Sequence, residues 1–418
     1  MAVNPSNVQK APLPKPRYYP NPHLNLNSTS PTPFSKPPPT LNRDLLPSYL
    51  HTSLTHIITS CPPVLPWPSP FRQTQVFKGF FVGPTSIAYV FYSLSLCPAP
   101  YIQDLRIQDK SLLEWSKEYL SLGQDTVLPL LEENCGIANE YLTFNALIAC
   151  VFGDEACARR LLEALKGLNE TTPKSYCEYL KGRAGGLYLL RLLKRGMPHL
   201  RNEIDIVIKD LIEDILPQQP WTWDGRQYLG SVHGEIGILT QIVLSEPAYA
   251  VKLEGKLLEL LALQEENGNW PVIPGKDIGL VQFCHGAPGF VISLLAIRRF
   301  FPGVELQGRV ERAVEKGREC IWQMGVLVKE PNVCHGVLGN ALAFEGEMKD
   351  AFLGIVGSPM DVWQGRVEGD NMRWERDEDP YGCLWGEAGR AWVWGMEIGR
   401  TEGARGDGEG GCPLYSDV

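Results

Sequence analysis

The stretch Cys284-His-Gly-Ala-Pro-Gly-Phe-Val-Ile-Ser-Leu-Leu-Ala-Ile297 decides the fold. Two glycines three residues apart, Gly286 and Gly289, open a run that is almost wholly apolar. A helix apolar on every side is a buried helix. The same element recurs as Gly182-Arg-Ala-Gly185, Gly234-Glu-Ile-Gly237, Gly336-Val-Leu-Gly339 and Gly386-Glu-Ala-Gly389. In chain order the leading glycines are 52, 52, 50 and 50 residues apart. Two weaker copies precede them, one opening at Gly79 to Gly83 and one at Gly136-Ile-Ala-Asn139. A fixed period of this length marks a repeat architecture. Roughly 50 residues hold two helices of about 15 to 18 residues and two loops. The segments between the glycine elements, such as Glu254 to Glu266 and Arg309 to Arg318, are charged and amphipathic. Seven units of one buried and one half-solvated helix therefore predict an all-α fold, an α/α toroid of seven inner and seven outer helices. An open superhelical array satisfies the same pattern.

Working outward, residues 1–42 are rich in Pro, Asn and Ser and carry Pro37-Pro38-Pro39. They read as an extended or disordered leader, whose alternative use is to wrap the ring. Residues 43–402 are the repeat domain, and 403–418 read as a Gly-rich tail of the same kind as the leader. A net charge of −9 disfavours a polyanion, so nucleic acid is not an expected partner. The eleven cysteines are odd in number and form no paired framework, which favours reduced thiols in a cytoplasmic compartment. The N-terminus shows no basic-then-apolar signal. The uncharged stretch from Gly79 to Gln103 contains Gly83-Pro84 and several hydroxyl residues, so it reads as a buried helix and its approach, with no integral membrane segment expected.

The chain has seven histidines. Three of them, His233, His285 and His335, stand directly before the first glycine of a repeat, and Cys284 and Cys334 precede two of these. Equivalent repeats place these side chains at one end of the ring, at neighbouring helix N-termini. There the positive end of the helix dipole lowers a thiol's pKa. Thiolate and imidazole together are zinc ligands. Two Cys-His pairs at one repeat phase allow a closed four-ligand site or an open site of three ligands and water, and spacing does not choose between them.

The segment from Ile321 through Cys334-His335-Gly-Val-Leu-Gly-Asn-Ala-Leu-Ala-Phe344 closely resembles eukaryotic lanthionine-cyclase-like (LanC-like) proteins. So do Cys284-His-Gly-Ala-Pro-Gly289, Val232-His-Gly-Glu-Ile-Gly237 and Leu384-Trp-Gly-Glu-Ala-Gly389, and the likeness runs from about Gly79 to Gly399. The resemblance implies one zinc ion held by Cys284, Cys334 and His335, with a fourth position for a thiol. It implies an acid/base role for His233 and glutathione as the co-substrate, in contact with Lys329, Arg376 and Asp379. The implied reaction is addition of the glutathione thiol to dehydroalanine or dehydrobutyrine residues of proteins or peptides. The implied location is the cytoplasm, with peripheral attachment to the plasma membrane as the second. His285 receives no role. The chain departs from the family pattern at Phe283, where tryptophan is usual, in the first repeat's Gly79-Phe-Phe-Val-Gly83, in the charged stretch Met372 to Asp379, and at Gly382-Cys383.

Two other functions compete. One is a zinc- and glutathione-binding regulatory or receptor-like protein without turnover, which would have no use for His233. The other is carbohydrate processing, which needs two carboxylates across a sugar. Glu235 and Glu387 stand at suitable phases, but that reading leaves the Cys-His pairs unexplained.

Overall fold

A computed structural model of the chain describes residues 17–24, 40–64, 78–122, 134–168, 173–276, 278–364, 374, 381–404 and 411–418. The inner helices are α2 (Pro84–Ser95), α5 (Glu140–Phe152), α7 (Arg183–Gly196), α9 (Glu235–Ser245), α11 (Ala287–Ile297), α13 (Val337–Ala341) and α16 (Glu387–Thr401). Each is paired with an outer helix. In the same order these are α4 (Leu112–Ser121), α6 (Glu155–Lys166), α8 (Arg201–Ile215), α10 (Ala250–Ala262), α12 (Val304–Met324), α14 (Gly346–Val356) and α1 (Leu46–Ser60). Short helices α3 (Pro100–Asp104) and α15 (Pro359–Trp363) complete the described set.

The two classes differ for the reason the sequence gives. In α11 the residues Ala287 to Leu294 and Ile297 are all buried, so this helix has no water-facing stripe. In α6 only Cys157, Ala158, Leu161, Leu162 and Leu165 are buried, which is one face at helical spacing. Side-chain caps start two of the outer helices. Ser111 and Glu114 form a reciprocal capping box at α4, and Asp154 accepts from Cys157 N–H at α6. Six of the seven inner helices are shorter than the expected length of about 15 to 18 residues, and one is much the shortest. α13 has five residues, because the chain turns at Leu342 and folds Phe344 onto Trp322 and Phe352.

The ring is closed, so the open array is excluded. Helix α16 packs against α2, joining last repeat to first, and the outer partner of α16 is α1 from the start of the domain. Hydrogen bonds between the loops that enter the inner helices run the same way. Phe80 N–H donates to Ile137 O at 2.9 Å, Ala138 to Leu180 O at 2.9 Å, and Tyr179 to Val232 O at 3.1 Å. The Ser231 hydroxyl donates to Phe283 O. Cys284 N–H donates to Cys334 O at 3.1 Å and Cys334 N–H to Leu384 O at 2.9 Å. Cys383 N–H returns to the Ser86 hydroxyl at 2.9 Å, which itself donates to Phe80 O at 2.7 Å. The belt thus passes through every repeat and satisfies loop backbone groups that a buried loop would otherwise leave unpaired.

The glycines make this belt sterically accessible. A Cβ on Gly339 would lie 1.9 Å from Val333 O, and one on Gly237 would lie 2.0 Å from Ser231 O. The second glycine of the element lets the helix start touch the loop that feeds it. Gly286, with φ +105°, also adopts a backbone conformation that side chains disfavour.

Both termini differ from the expected free tails wherever they are described. Tyr18 pairs antiparallel with Leu327, Tyr19 N–H donates to Val326 O at 2.7 Å, and Asn21 is fully buried. Cys412, Leu414 and Tyr415 are fully buried as well. Residues 1–16, 25–39 and 405–410 lie outside the described residues. Among the described residues, no helix is long and apolar enough to cross a membrane.

Candidate metal centre and acid/base pair

Residues Cys284-His285 stand immediately before Gly286, the N-cap of α11, and Cys334-His335 before Gly336, the N-cap of α13. The belt bond from Cys284 N–H to Cys334 O brings these two repeat starts together. As a result the ligand atoms of Cys284, Cys334 and His335 all lie within 4.8 Å of one another, and all three residues are buried. His335 is held from behind, its N–H donating to Asn332 Oδ1 at 2.8 Å, and its ring meets Trp385 edge-on at 5.5 Å. The Gln282 side chain donates to Cys284 Sγ at 3.1 Å.

Two sulfurs and one imidazole nitrogen at this spacing fit one small borderline-soft dication, with room for a fourth ligand. The electrostatics agree with the fit. The Cys284 thiol is held well below its ordinary value, first by the hydrogen bond from Cys334 and then, against burial, by the neighbouring His285 and His335. Cys334, as donor in that bond and buried beside the resulting thiolate, is pushed well above its ordinary value.

His233 lies on the adjacent repeat, directly before Gly234, the N-cap of α9. Its Nδ1 is 3.1 Å from Glu178 Oε2. Glu178 is buried, and its carboxylate also accepts from the backbone N–H groups of Leu180, at 2.6 Å, and Lys181. Held this way, it fixes the histidine ring and reserves Nδ1, so Nε2 is the atom free for chemistry. Burial pulls the His233 pKa down, but the hydrogen bond and charge of Glu178, then the charge of Cys284, outweigh it and raise the value above 6.5. The ring stacks on Trp223 at 6.1 Å and 13°. The His285 ring, on the residue that follows Cys284, lies 6.1 Å from that of His233, and burial lowers its pKa. Two histidines in one pocket are therefore driven in opposite directions.

The structure brings Cys284, Cys334 and His335 together, with the His233 ring on the adjacent repeat 6.1 Å from that of His285. His285 joins the pocket without entering the donor trio. Lys329 is half-buried, five residues before Cys334, and its charge reaches Cys334 and His285. Arg376 and Asp379 lie outside the described residues. Glu178 was missed by sequence reasoning. Its only local signal is its position four residues before Gly182, since its partner is 55 positions away. The carboxylates of the carbohydrate reading are engaged elsewhere. Glu235 pairs with Lys256 at 3.5 Å, and Glu387 with Arg390 at 2.6 Å.

Comparison with known proteins places this geometry in context. A family model described as lanthionine synthetase C-like protein matches residues 135–351, which include His233, Cys284, Cys334 and His335. The Danio rerio protein named glutathione S-transferase LANCL1 is 28% identical over 212 residues, covering 46% of this chain and 51% of its own length. The Arabidopsis thaliana LanC-like protein GCL1 is 36% identical over 129 residues, covering 30% of this chain and 29% of its own. The chain thus spans about half the length of the first relative and under a third of the second. Among solved structures, nisin cyclase superposes with a TM-score of 0.51 at 14% identity, over 77% of this chain and 89% of that one. That likeness speaks to the toroidal fold.

Proposed function

We propose that this chain, which belongs to the lanthionine synthetase C-like family, adds the thiol of glutathione to the β-carbon of dehydroalanine or dehydrobutyrine residues in proteins or peptides. The observation that carries the reading is the pairing, at one end of the ring, of a three-donor metal cradle with a carboxylate-held histidine. The name of the Danio rerio relative supports glutathione as the thiol.

Cys284, Cys334 and His335 would hold a zinc ion. When bound, zinc keeps a coordinated thiol deprotonated near neutral pH. The remaining work falls to the chain's own groups. In the addition, a sulfur–Cβ bond forms and the π pair of the alkene moves toward Cα. Cα then takes the proton carried on His233 Nε2, and the proton lost by the thiol restores the balance. Glu178 holds His233 in the tautomer and orientation that serve this transfer, and its charge keeps more of the ring protonated near pH 7. Lys329, whose charge reaches Cys334 and His285, would suit a glutathione carboxylate, and by the family resemblance Arg376 and Asp379 would take the second carboxylate and the amine. The half-buried rings of Trp223 and Tyr228 flank His233 and would shield one side of the reacting carbon from water.

The test is mass spectrometry of a dehydrobutyrine-containing peptide incubated with glutathione and zinc-loaded protein. Protein-dependent gain of one glutathione, lost in His233→Ala, is expected. Glutathione and zinc binding with no gain across several peptides would instead establish a binding and regulatory protein without turnover.

A further inference from the structure

Segment 411–418 belongs to no repeat, yet it sits in the space ringed by the inner helices. It is bound there by groups from four of them. Tyr188 of α7 donates to Asp417 Oδ1 at 3.1 Å, and Tyr89 of α2 donates to Asp417 Oδ2. Arg191 of α7 and Gln241 of α9 donate to Tyr415 O at 3.0 and 3.2 Å. Ser293 of α11 shares a 2.6 Å hydrogen bond with the Tyr415 hydroxyl. Arg191, Gln241 and Ser293 are themselves buried, so this is a built site for a peptide segment.

Two contacts of Tyr415 lead to the candidate centre. Its ring meets Phe283 edge-on at 5.2 Å and Tyr179 edge-on at 5.4 Å. Phe283 immediately precedes Cys284, and Tyr179 immediately follows Glu178, which holds His233. A single fully buried ring thus touches the neighbours of both halves of the centre from the axial side. Belt hydrogen bonds anchor both neighbours, Tyr179 through its N–H and Phe283 through its carbonyl.

We propose that Tyr415 is a positioning residue, and that segment 411–418 is a seated peptide that sets the spacing between the Cys284 side and the Glu178–His233 side of the centre. A core at crystal-like density transmits such a contact, because removing a large ring leaves a cavity into which Phe283 and Tyr179 relax. The inference rests on the reading of Cys284 as a zinc ligand, and the test separates the two. In the full chain, Tyr415→Ala, Tyr415→Leu and Tyr415→Phe are compared for zinc affinity, by competition with a chromophoric chelator, and for amide hydrogen exchange in residues 176–182 and 281–290. Tyr415→Ala is expected to weaken zinc binding roughly tenfold, the usual effect of losing a group that orients a ligand. It should also speed exchange in those two stretches well beyond any change in α6 or α10. Tyr415→Leu, which keeps the space filled if alanine proves too disruptive to fold, should show the same selective pattern. Tyr415→Phe keeps the ring contacts and should retain both properties. A uniform rise in exchange with unchanged zinc affinity would reduce the segment to general stabilisation and overturn the proposal. Absence of zinc binding in the unaltered protein would count against the metal reading alone, and the exchange comparison would still decide this one.

Discussion

Replacing Glu178 with glutamine isolates what the buried carboxylate does for His233. Glutamine keeps the size but removes the negative charge, and because Oε2 serves both Leu180 N–H and His233 Nδ1 while Oε1 serves Lys181 N–H, its amide NH2 must face one of these donors. A hydrogen bond to a charged partner is worth about 1.5–3 kcal/mol. That bond and the charge behind it are what raise the His233 pKa against burial, so the value should fall in the variant. Because burial alone pulls that value down, the variant should titrate below 6.5 where the parent titrates above it. The protonated fraction at pH 7, and with it the rate of thiol addition, should drop by roughly tenfold. Zinc content should not change. The assay is the pH dependence of glutathione addition, with the His233 ring titrated by NMR. The same pair has a stability signature. A raised histidine contributes stability that is full below its unfolded value of 6.5 and is lost as pH rises through the raised folded value. The destabilisation by Glu178→Gln should therefore be larger at pH 5.5 than at pH 8.5. An unchanged ring titration, or an activity loss that tracks zinc loss, would refute the assignment of Glu178 as the orienting base partner.

Cys334→Ala should lose most bound zinc while His285→Ala keeps it, as measured by metal analysis after gel filtration, and equal loss in both would favour a four-ligand site. Gly339→Ala should destabilise by about 3 kcal/mol in denaturant titration, because its Cβ must displace the Val333 carbonyl from 1.9 Å. Gly255→Ala, in open space on α10, should instead stabilise by about 0.5–1 kcal/mol. Arg390 is bonded to Glu387 at 2.6 Å, Glu330 at 3.2 Å and Pro331 O at 2.8 Å, all buried. Arg390→Ala should then cost about 3–5 kcal/mol by leaving uncompensated buried charge, and a loss under 1 kcal/mol by the same titration would contradict that account.

How far the site was legible depended on whether its residues share the repeat phase. Cys284, His285, Cys334, His335 and His233 all precede a helix-capping glycine, so periodicity placed them at one end of the ring before any coordinates. Glu178 stands outside that phase, and the belt bond from Tyr179 to Val232 is what carries it to His233. Lys329 followed only from its resemblance to a family position. The described part of the leader and segment 411–418 looked like free ends because proline and glycine composition reports what a segment lacks. Composition does not report what waits to bind the segment.

By itself the sequence determined seven two-helix units, the buried and solvated classes of helix, and the cysteine and histidine side chains at their common phase. These follow from contacts within a few residues or from exact repetition, both of which leave a period in the chain. Closure of α16 onto α2 and α1, the Glu178–His233 pair, and the seating of Tyr415 against Phe283 and Tyr179 were decided by tertiary structure alone. Such contacts join positions from about fifty to several hundred residues apart, and a single non-repeated contact leaves no period to read.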